Sequence, residues 1–359
     1  MIVELSGSHY EMGRQHGTKL LQYRPALLGL MEGVHKKAMV CLQQGIGETI
    51  DSVRDVLSVH SPQTLDMISG IADGFEVSSW DILSMMMGSY VEDRFALSSG
   101  LKCQDAGCTS WAVSTKKVQE DRVILAKNRD YLISHRPLQV IFRCSPERGY
   151  KYLSVNSLGA CNVFSSGMNS EGLTIADTRV PSMDVGPGLP RFSLMMHILE
   201  NFSSVKEAID YLRSVPRMGG GNLIFADAKG AIGRAEIGYE GLGLSQESAG
   251  FLVCTNHFGD PSMKGKYRRR GEAEEKHSIG RFQEVSKTLF NSGKDMDPNQ
   301  AIDLMSFHGE TFAVCNHGFT SREEEIATIS SAIFLPVKRG FYYCEGFPCS
   351  TPYHWISFS

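Results

Sequence analysis

In the stretch DAGCTSWAVS, Asp105–Ser114, a glycine stands directly before a cysteine, and two hydroxyl residues and then an apolar run follow. A structural thiol sits more often among apolar neighbours inside a strand than at its first position. Cys108 stands where a cut of the preceding peptide bond would make it a chain terminus. Its thiol and a new α-amino group would then share one residue. An α-amino group has a reference pKa of about 7.7–8.0, so near neutral pH it can take the thiol proton without help from a histidine. Gly107 suits such a junction, because glycine admits the backbone conformations that attack on its own carbonyl requires. Residue types alone leave a plainer alternative open, a turn before a buried strand.

Other chemistries find less support. Nine cysteines and 11 histidines invite a metal reading, with Cys254-x-x-His257, Cys315-x-His317 and Cys344-x4-Cys349 as the candidates. None has the paired C-x2-C spacing of a zinc site, so ordinary thiols and no metal are expected. There is no GxGxxG between a strand and a helix and no GxxxxGK[ST], so no nucleotide cofactor is expected. A GxSxG serine elbow is also missing.

The elements that must hold Cys108 follow from periodicity. The first hundred residues read as helical, with capping-box spacing at Ser8-His-Tyr-Glu11 and Ser78-Ser-Trp-Asp81. From Cys108 the pattern turns extended. CTSWAVST and RVILAKNRD form an expected hairpin around KKVQED, followed by strands at LQVIFRC, KYLSVNS, ACNVFSS and GLTIADT. Helices are expected around RFSLMMHILE and SVKEAIDYLR, the second opened by the box Ser204-Val-Lys-Glu207. NLIFADA and AIGRAEIGY make another hairpin, GFLVCTNHF a strand, HSIGRFQEVSKTLF a helix, and ATISSAIFLP and RGFYYCEG the last strands. This order predicts an α+β fold of largely antiparallel sheets with helices outside. MDVGPGLPR, residues 183–191, reads as a mobile loop, and KGKYRRRG, residues 264–271, as a solvated basic loop.

Composition sets the bounds. The chain has 359 residues, is 42% hydrophobic and 21% charged, and carries a formal net charge of -4. A sizeable core is expected, and no field draws the chain towards nucleic acid. No apolar run reaches the roughly 18 residues of a membrane span. The start MIVELSGSHYE has no signal-like pattern, and the odd, irregular cysteines fit reduced thiols, so a cytoplasmic location is expected.

GCTSWAV with AKNRDY some twenty residues later resembles the start of the mature chain in N-terminal-nucleophile (Ntn) hydrolases. The resemblance is to the branch holding isopenicillin-N acyltransferase and the choloylglycine hydrolases. Further pieces follow in order: GSHYEMGRQHG at 7–17, GMNSEGL at 167–173, CTNHF at 254–258, SIGRF at 278–282, FAVCNHG at 312–318 and GFPCSTPY at 346–353. The resemblance implies a four-layer αββα sandwich and a precursor. Residues 1–107 would be a helical propeptide or α-chain, and 108–359 the catalytic β-chain, with the fragments staying associated. It implies autocleavage between Gly107 and Cys108, with Cys108 as nucleophile.

The same resemblance assigns the helpers. Asp130 would orient the Cys108 amine or thiol, Asn256 would form an oxyanion hole, and Arg281 would be a cation near the nucleophile. Thr109 and Asn128 would be supporting hydrogen bonders. The plainer alternatives are a turn carboxylate, a turn asparagine and a surface arginine. Two departures stand out. Lys127 replaces an arginine of the choloylglycine hydrolases, and Arg179 replaces a second site asparagine, which argues against a bile-salt substrate. Arg179 is suited to a substrate carboxylate or to the surface. The expected activity is hydrolysis of a linear amide C–N bond in a small molecule, without cofactor. Acyl transfer from a thioester such as acyl-CoA to an amine is the second expectation, and a non-catalytic, metal-stabilised binding protein the rival from another class. A homo-oligomer is compatible with the sequence.

Overall fold

A computed structural model describes residues 1–32, 47–99, 107–114, 123–161, 163–246, 250–268, 271–292, 296–310, 312–318 and 326–358. Its strands are β1 (Ile2–Gly7), β2 (Cys108–Ser114), β3 (Val123–Leu132), β4 (Gln139–Pro146), β5 (Tyr152–Ser157), β6 (Ser166–Asn169) and β7 (Thr174–Arg179). They continue with β8 (Gly221–Ala226), β9 (Ile232–Ile237), β10 (Leu242–Gln246), β11 (Phe251–Cys254), β12 (Ile326–Leu335), β13 (Gly340–Cys344) and β14 (His354–Ser357). One sheet runs β1-β4-β5-β6-β7-β8-β9-β10 and the other β11-β2-β3-β12-β13-β14. The pair β1–β4 is parallel; the expected hairpins β2–β3 and β8–β9 are antiparallel.

Side-chain alternation builds the layers. On β3, Val123 and Leu125 face the second sheet, packing with Ile141, Leu153 and Ile224. Their neighbours Ile124 and Ala126 face outward, onto Val285, Leu289 and Leu304 of the helices Glu272–Ser292 and Pro298–Met305. A strand buried on both faces reads as a continuous apolar run, and VILA does. On the far side, Phe142, Ile175 and Phe225 of the eight-stranded sheet pack under Met12, Ile71, Leu194 and Ile209 from helices His9–Lys19, Pro62–Phe75, Arg191–Asn201 and Val205–Ser214. The order is helix, sheet, sheet, helix: the αββα sandwich.

Small residues set one contact in the outer layer. Gly13 and Gly17 face Gly70 and Gly74 across the first two of those helices. A Cβ on Gly13 would stand 2.3 Å from Met67 O, and one on Gly70 2.1 Å from Tyr10 O. The two backbones touch, which only glycine permits.

Several expectations are corrected. The N-terminal segment is not all helix, since β1 enters the eight-stranded sheet. The described residues of ACNVFSS before Ser166 are not in a strand; β6 begins only at Ser166, after a turn at Leu158–Ala160. β10, β14 and the helix Pro298–Met305 were not anticipated. The capping box at Ser8 is present in full, whereas Ser78 caps only Trp80 N. The Gly/Pro segment is pinned rather than loose. Val185 and Leu189 are buried, and Asp184 accepts hydrogen bonds from Glu240 N, Gly241 N and Lys266 Nζ. Of the basic run, Lys264 and Gly265 are exposed as expected, whereas Lys266 is held by Asp184, Tyr267 is buried and Arg268 pairs with Asp93; residues 269 and 270 lie outside the described residues.

Candidate active site

Cys108 opens β2, flanked by β3 and β11, and is buried. Cys254 pairs with Ser110, so an extended chain two residues further on reaches the level of Cys108. Asn256 stands there. Its Oδ1 accepts the Cys108 N–H at 2.9 Å, and its Nδ2 donates to Arg179 O at 2.9 Å. It is fully buried, unlike a turn asparagine.

The helix Glu272–Ser292 fixes this loop from outside. Ser278 and Arg281, three residues apart, share one helix face. Ser278 Oγ accepts Asn256 N at 2.9 Å. Arg281 donates from Nη2 to Asn256 Oδ1 at 2.7 Å, and from Nη1 to Thr109 Oγ1 at 2.8 Å and to Cys108 O. The arginine is 1% exposed, so the surface alternative falls. Its Nε donates to neutral His277, whose pKa is pushed down to about 3 by burial and by the guanidinium. SIGRF is therefore a bracket: serine and arginine on one turn, both gripping the TN segment.

Asp130 closes the site from β3. Its backbone N–H donates to Gly107 O at 2.9 Å. Its Oδ1 accepts from Thr328 Oγ1 at 2.7 Å, while Oδ2 is buried with no hydrogen-bond partner among the described residues. A Cβ at position 107 would stand 2.7 Å from that oxygen. A larger residue at position 107 would therefore have to displace the carboxylate or the junction. Burial raises the Asp130 pKa, opposed by Arg281, the Thr328 hydrogen bond and Lys127. Thr328 lies at an irregularity in β12 between Thr328 and Ser330, the kind of device that re-aims a side chain.

The remaining candidates divide. Thr109 joins the site through Arg281. Asn128 faces away, its Nδ2 tying Met305 O and Val314 O to β3. Lys127 is buried between the sheets and bonded to Asp177. Arg179 touches the site through its carbonyl, but its guanidinium pairs with Asp93 and Glu92 of the helix Gly88–Ser99. In this structure its charge is used within the chain.

Thr328, Ser278 and Asn222 were missed. Asn222 Nδ2 bridges the sheets to Thr255 O and His257 O. Arg129 was also missed; it pairs across from Cys108, with its guanidinium 5.5 Å from the Tyr131 ring centre and 5.8 Å from that of Phe164. Only Ser278 left a trace in the sequence, through its spacing from Arg281. Among the described residues, no helix is long and apolar enough to cross a membrane.

No individually curated protein matches the chain. Solved structures similar to it include a mutant of conjugated bile acid hydrolase from Clostridium perfringens, at 17% identity over 70% of this chain and 92% of that one, with a TM-score of 0.49. Another is penicillin V acylase from Agrobacterium tumefaciens, at 17% identity over 70% and 86%, with a TM-score of 0.47. The family model described as acyl-coenzyme A:6-aminopenicillanic acid acyl-transferase matches residues 117–349. That span begins after Cys108 and takes in Asp130, Asn256 and Arg281. It covers well over half of the sequence, and the chain belongs to this acyl-transferase family of the Ntn group.

Proposed function

We propose that the chain cuts its own Gly107–Cys108 bond and then uses Cys108 to cleave a linear amide C–N bond in a small molecule. The observation that carries this reading is convergence on one junction. Asp130 N meets Gly107 O, Asn256 Oδ1 meets Cys108 N, and Arg281 meets Cys108 O.

In the first step Cys108 Sγ attacks the Gly107 carbonyl carbon. The Asp130 N–H holds the oxygen as it gains charge. The C–N bond breaks, the thiol proton passes to the Cys108 nitrogen, and a thioester remains. Water hydrolyses it, releasing the Gly107 carboxylate and restoring the thiol. The 1–107 segment becomes an α-chain that stays bound through β1 and the Asp93 pairs, and 108–359 becomes the β-chain.

In turnover the free α-amine takes the Sγ proton and the thiolate attacks the substrate carbonyl. Asp130 Oδ2 steadies the resulting ammonium, and the fixed Arg281 cation favours the anionic sulfur. The second N–H of Asn256 Nδ2 stabilises the tetrahedral oxyanion. The leaving amine departs with the ammonium proton, and water, activated by the amine, clears the acyl-enzyme. None of these steps uses a cofactor.

A second reading replaces water with an amine and the amide with a thioester such as acyl-CoA. The family's acyl-transferase description supports it, and it favours an enzyme over a binding protein. N-terminal sequencing of active protein tests the first step: Cys108 must be a chain terminus, and active protein starting only at Met1 sinks the proposal. Trapping the acyl-enzyme with N-acyl amides and with acyl-CoA then decides between the two donors.

A further inference from the structure

We propose that His308, Cys315, His317 and Cys349 form a binding site for one zinc-type divalent cation, distinct from the Cys108 site. Each of the four offers one ligand atom, and all four atoms lie within 4.8 Å of one another. Cys315 Sγ and Cys349 Sγ are 3.7 Å apart, and His317 Nε2 lies 3.1 Å from Cys349 Sγ. The two imidazole rings meet edge to face at 4.7 Å.

These lengths suit a tetrahedron. With zinc–sulfur bonds of about 2.3 Å and zinc–nitrogen bonds of about 2.0–2.1 Å, its edges are about 3.8 Å between sulfurs and about 3.5 Å between sulfur and nitrogen. The sulfur pair already has the first spacing and is far from the roughly 2.05 Å of a disulfide. Two thiolates and two neutral imidazoles cancel the charge of a divalent ion. Such donors select zinc over magnesium or calcium, which prefer oxygen. Four protein ligands leave no position open for substrate, so the site is structural. Cys315 is buried and the other three are exposed, which leaves a path for entry.

The surroundings support the ligands. The Phe347 ring lies 4.3 Å from that of His317, and Arg136, which donates to Glu345 O, lies over the same Phe347 ring at 5.6 Å. The cation would staple three stretches of chain: the bridge His308↔Ala313, the Cys315–His317 segment, and the turn holding Cys349. Asn316, between two ligands, makes two hydrogen bonds with Thr328. Asn316 N donates to Thr328 Oγ1 at 2.8 Å, and Thr328 N donates to Asn316 O at 2.7 Å. Thr328 Oγ1 in turn donates to Asp130 Oδ1. The staple therefore anchors the residue that aims Asp130. Sequence spacing hid the site, because Cys315-x-His317 finds its partners seven residues upstream and more than thirty downstream.

The test uses the full chain, expressed with zinc chloride, desalted and analysed for metal by plasma mass spectrometry and native mass. One zinc per chain is expected. Replacement by cobalt chloride should give the intense visible bands and thiolate charge-transfer of tetrahedral cobalt. Cys349→Ser and His317→Asn should lose the zinc, and Cys254→Ser, a buried thiol elsewhere, should retain it. Zinc-free wild-type protein, a Cys315–Cys349 disulfide in the fresh protein, or full zinc in a Cys315→Ser/Cys349→Ser chain would each overturn the proposal. The wild-type stoichiometry and cobalt spectrum decide even where a variant does not fold.

Discussion

Gly107→Ala adds one methyl group at the proposed cut. That methyl would stand 2.7 Å from Asp130 Oδ2, 3.1 Å from Asp130 Cβ and 3.3 Å from Cγ. An ordinary carbon–oxygen contact needs roughly half an ångström more. The carboxylate cannot swing freely, since it is buried and Oδ1 is held by Thr328 at 2.7 Å. The precursor relaxes either by shifting Asp130 or by turning the Gly107 carbonyl away from Asp130 N. Restoring the reactive arrangement then costs about 1–3 kcal/mol, the usual range for overpacking. That slows cleavage roughly 5- to 150-fold. Cell-free synthesis followed by intact mass at timed intervals measures it without any substrate. Once cut, residue 107 no longer adjoins the nucleophile, so cleaved Gly107→Ala protein should turn over at the wild-type rate per cut molecule. Cleavage as fast as wild type would refute the spatial argument. Slow turnover after the cut would refute the separation of the two steps.

Further outcomes follow from the same geometry. Cys108→Ala should yield a folded, uncut and inactive chain, checked by fragment mass and amide hydrolysis; activity in that variant ends the mechanism. Cys103→Ala, at a position outside the described residues, should cut and turn over normally. Asn256→Ala should lower turnover by about 10²–10³, and Asp130→Asn should impair cutting and turnover together; normal kinetics in either would remove that residue from the site. His16 is fully buried and accepts Gly159 N–H at 3.2 Å, and burial lowers its pKa to about 3. The unfolded chain, near 6.5, binds the proton first, so stability is present above about pH 6.5 and falls towards about pH 3. The slope is at most about 1.4 kcal/mol per unit. Thermal melts should lose that slope in His16→Gln, and parallel curves would show that another group carries the acid sensitivity.

Much of the candidate site was legible because its residues are marked by local chemistry. Gly107–Cys108 stands at a change of texture, and Asn256 and Arg281 sit in short motifs; the helix turns the spacing around Arg281 into a face it shares with Ser278, which was itself missed. Thr328 was not legible. Its role comes from an irregular register in β12, which leaves no pattern in IATISSAIFL. Arg129 is a polar residue in a strand, and only the pairing with Cys108 gives it a place. The metal ligands failed for a related reason, since each pair is short of a motif and only the fold adds them up. In the fold, the strands that were lost, β1, β10 and β14, are all edge strands. The Gly/Pro segment misled because its anchor, Asp184, bonds to residues more than fifty positions away.

The strand order β11-β2-β3-β12 has a consequence for the life of the chain. Most of the groups that hold the Gly107–Cys108 junction arrive from far downstream: Asp130 on the neighbouring β3 is joined by Asn256 just past β11 and Arg281 on the following helix, and is itself held by Thr328 on β12. A nascent chain on the ribosome cannot assemble them until nearly all of it has emerged. On the mechanism proposed here, scission is a certificate of completed folding. Chains that misassemble stay whole, keep Cys108 acylated by their own backbone, and are chemically silent. The proportion of uncut protein in a cell would then report its folding yield, read from a gel.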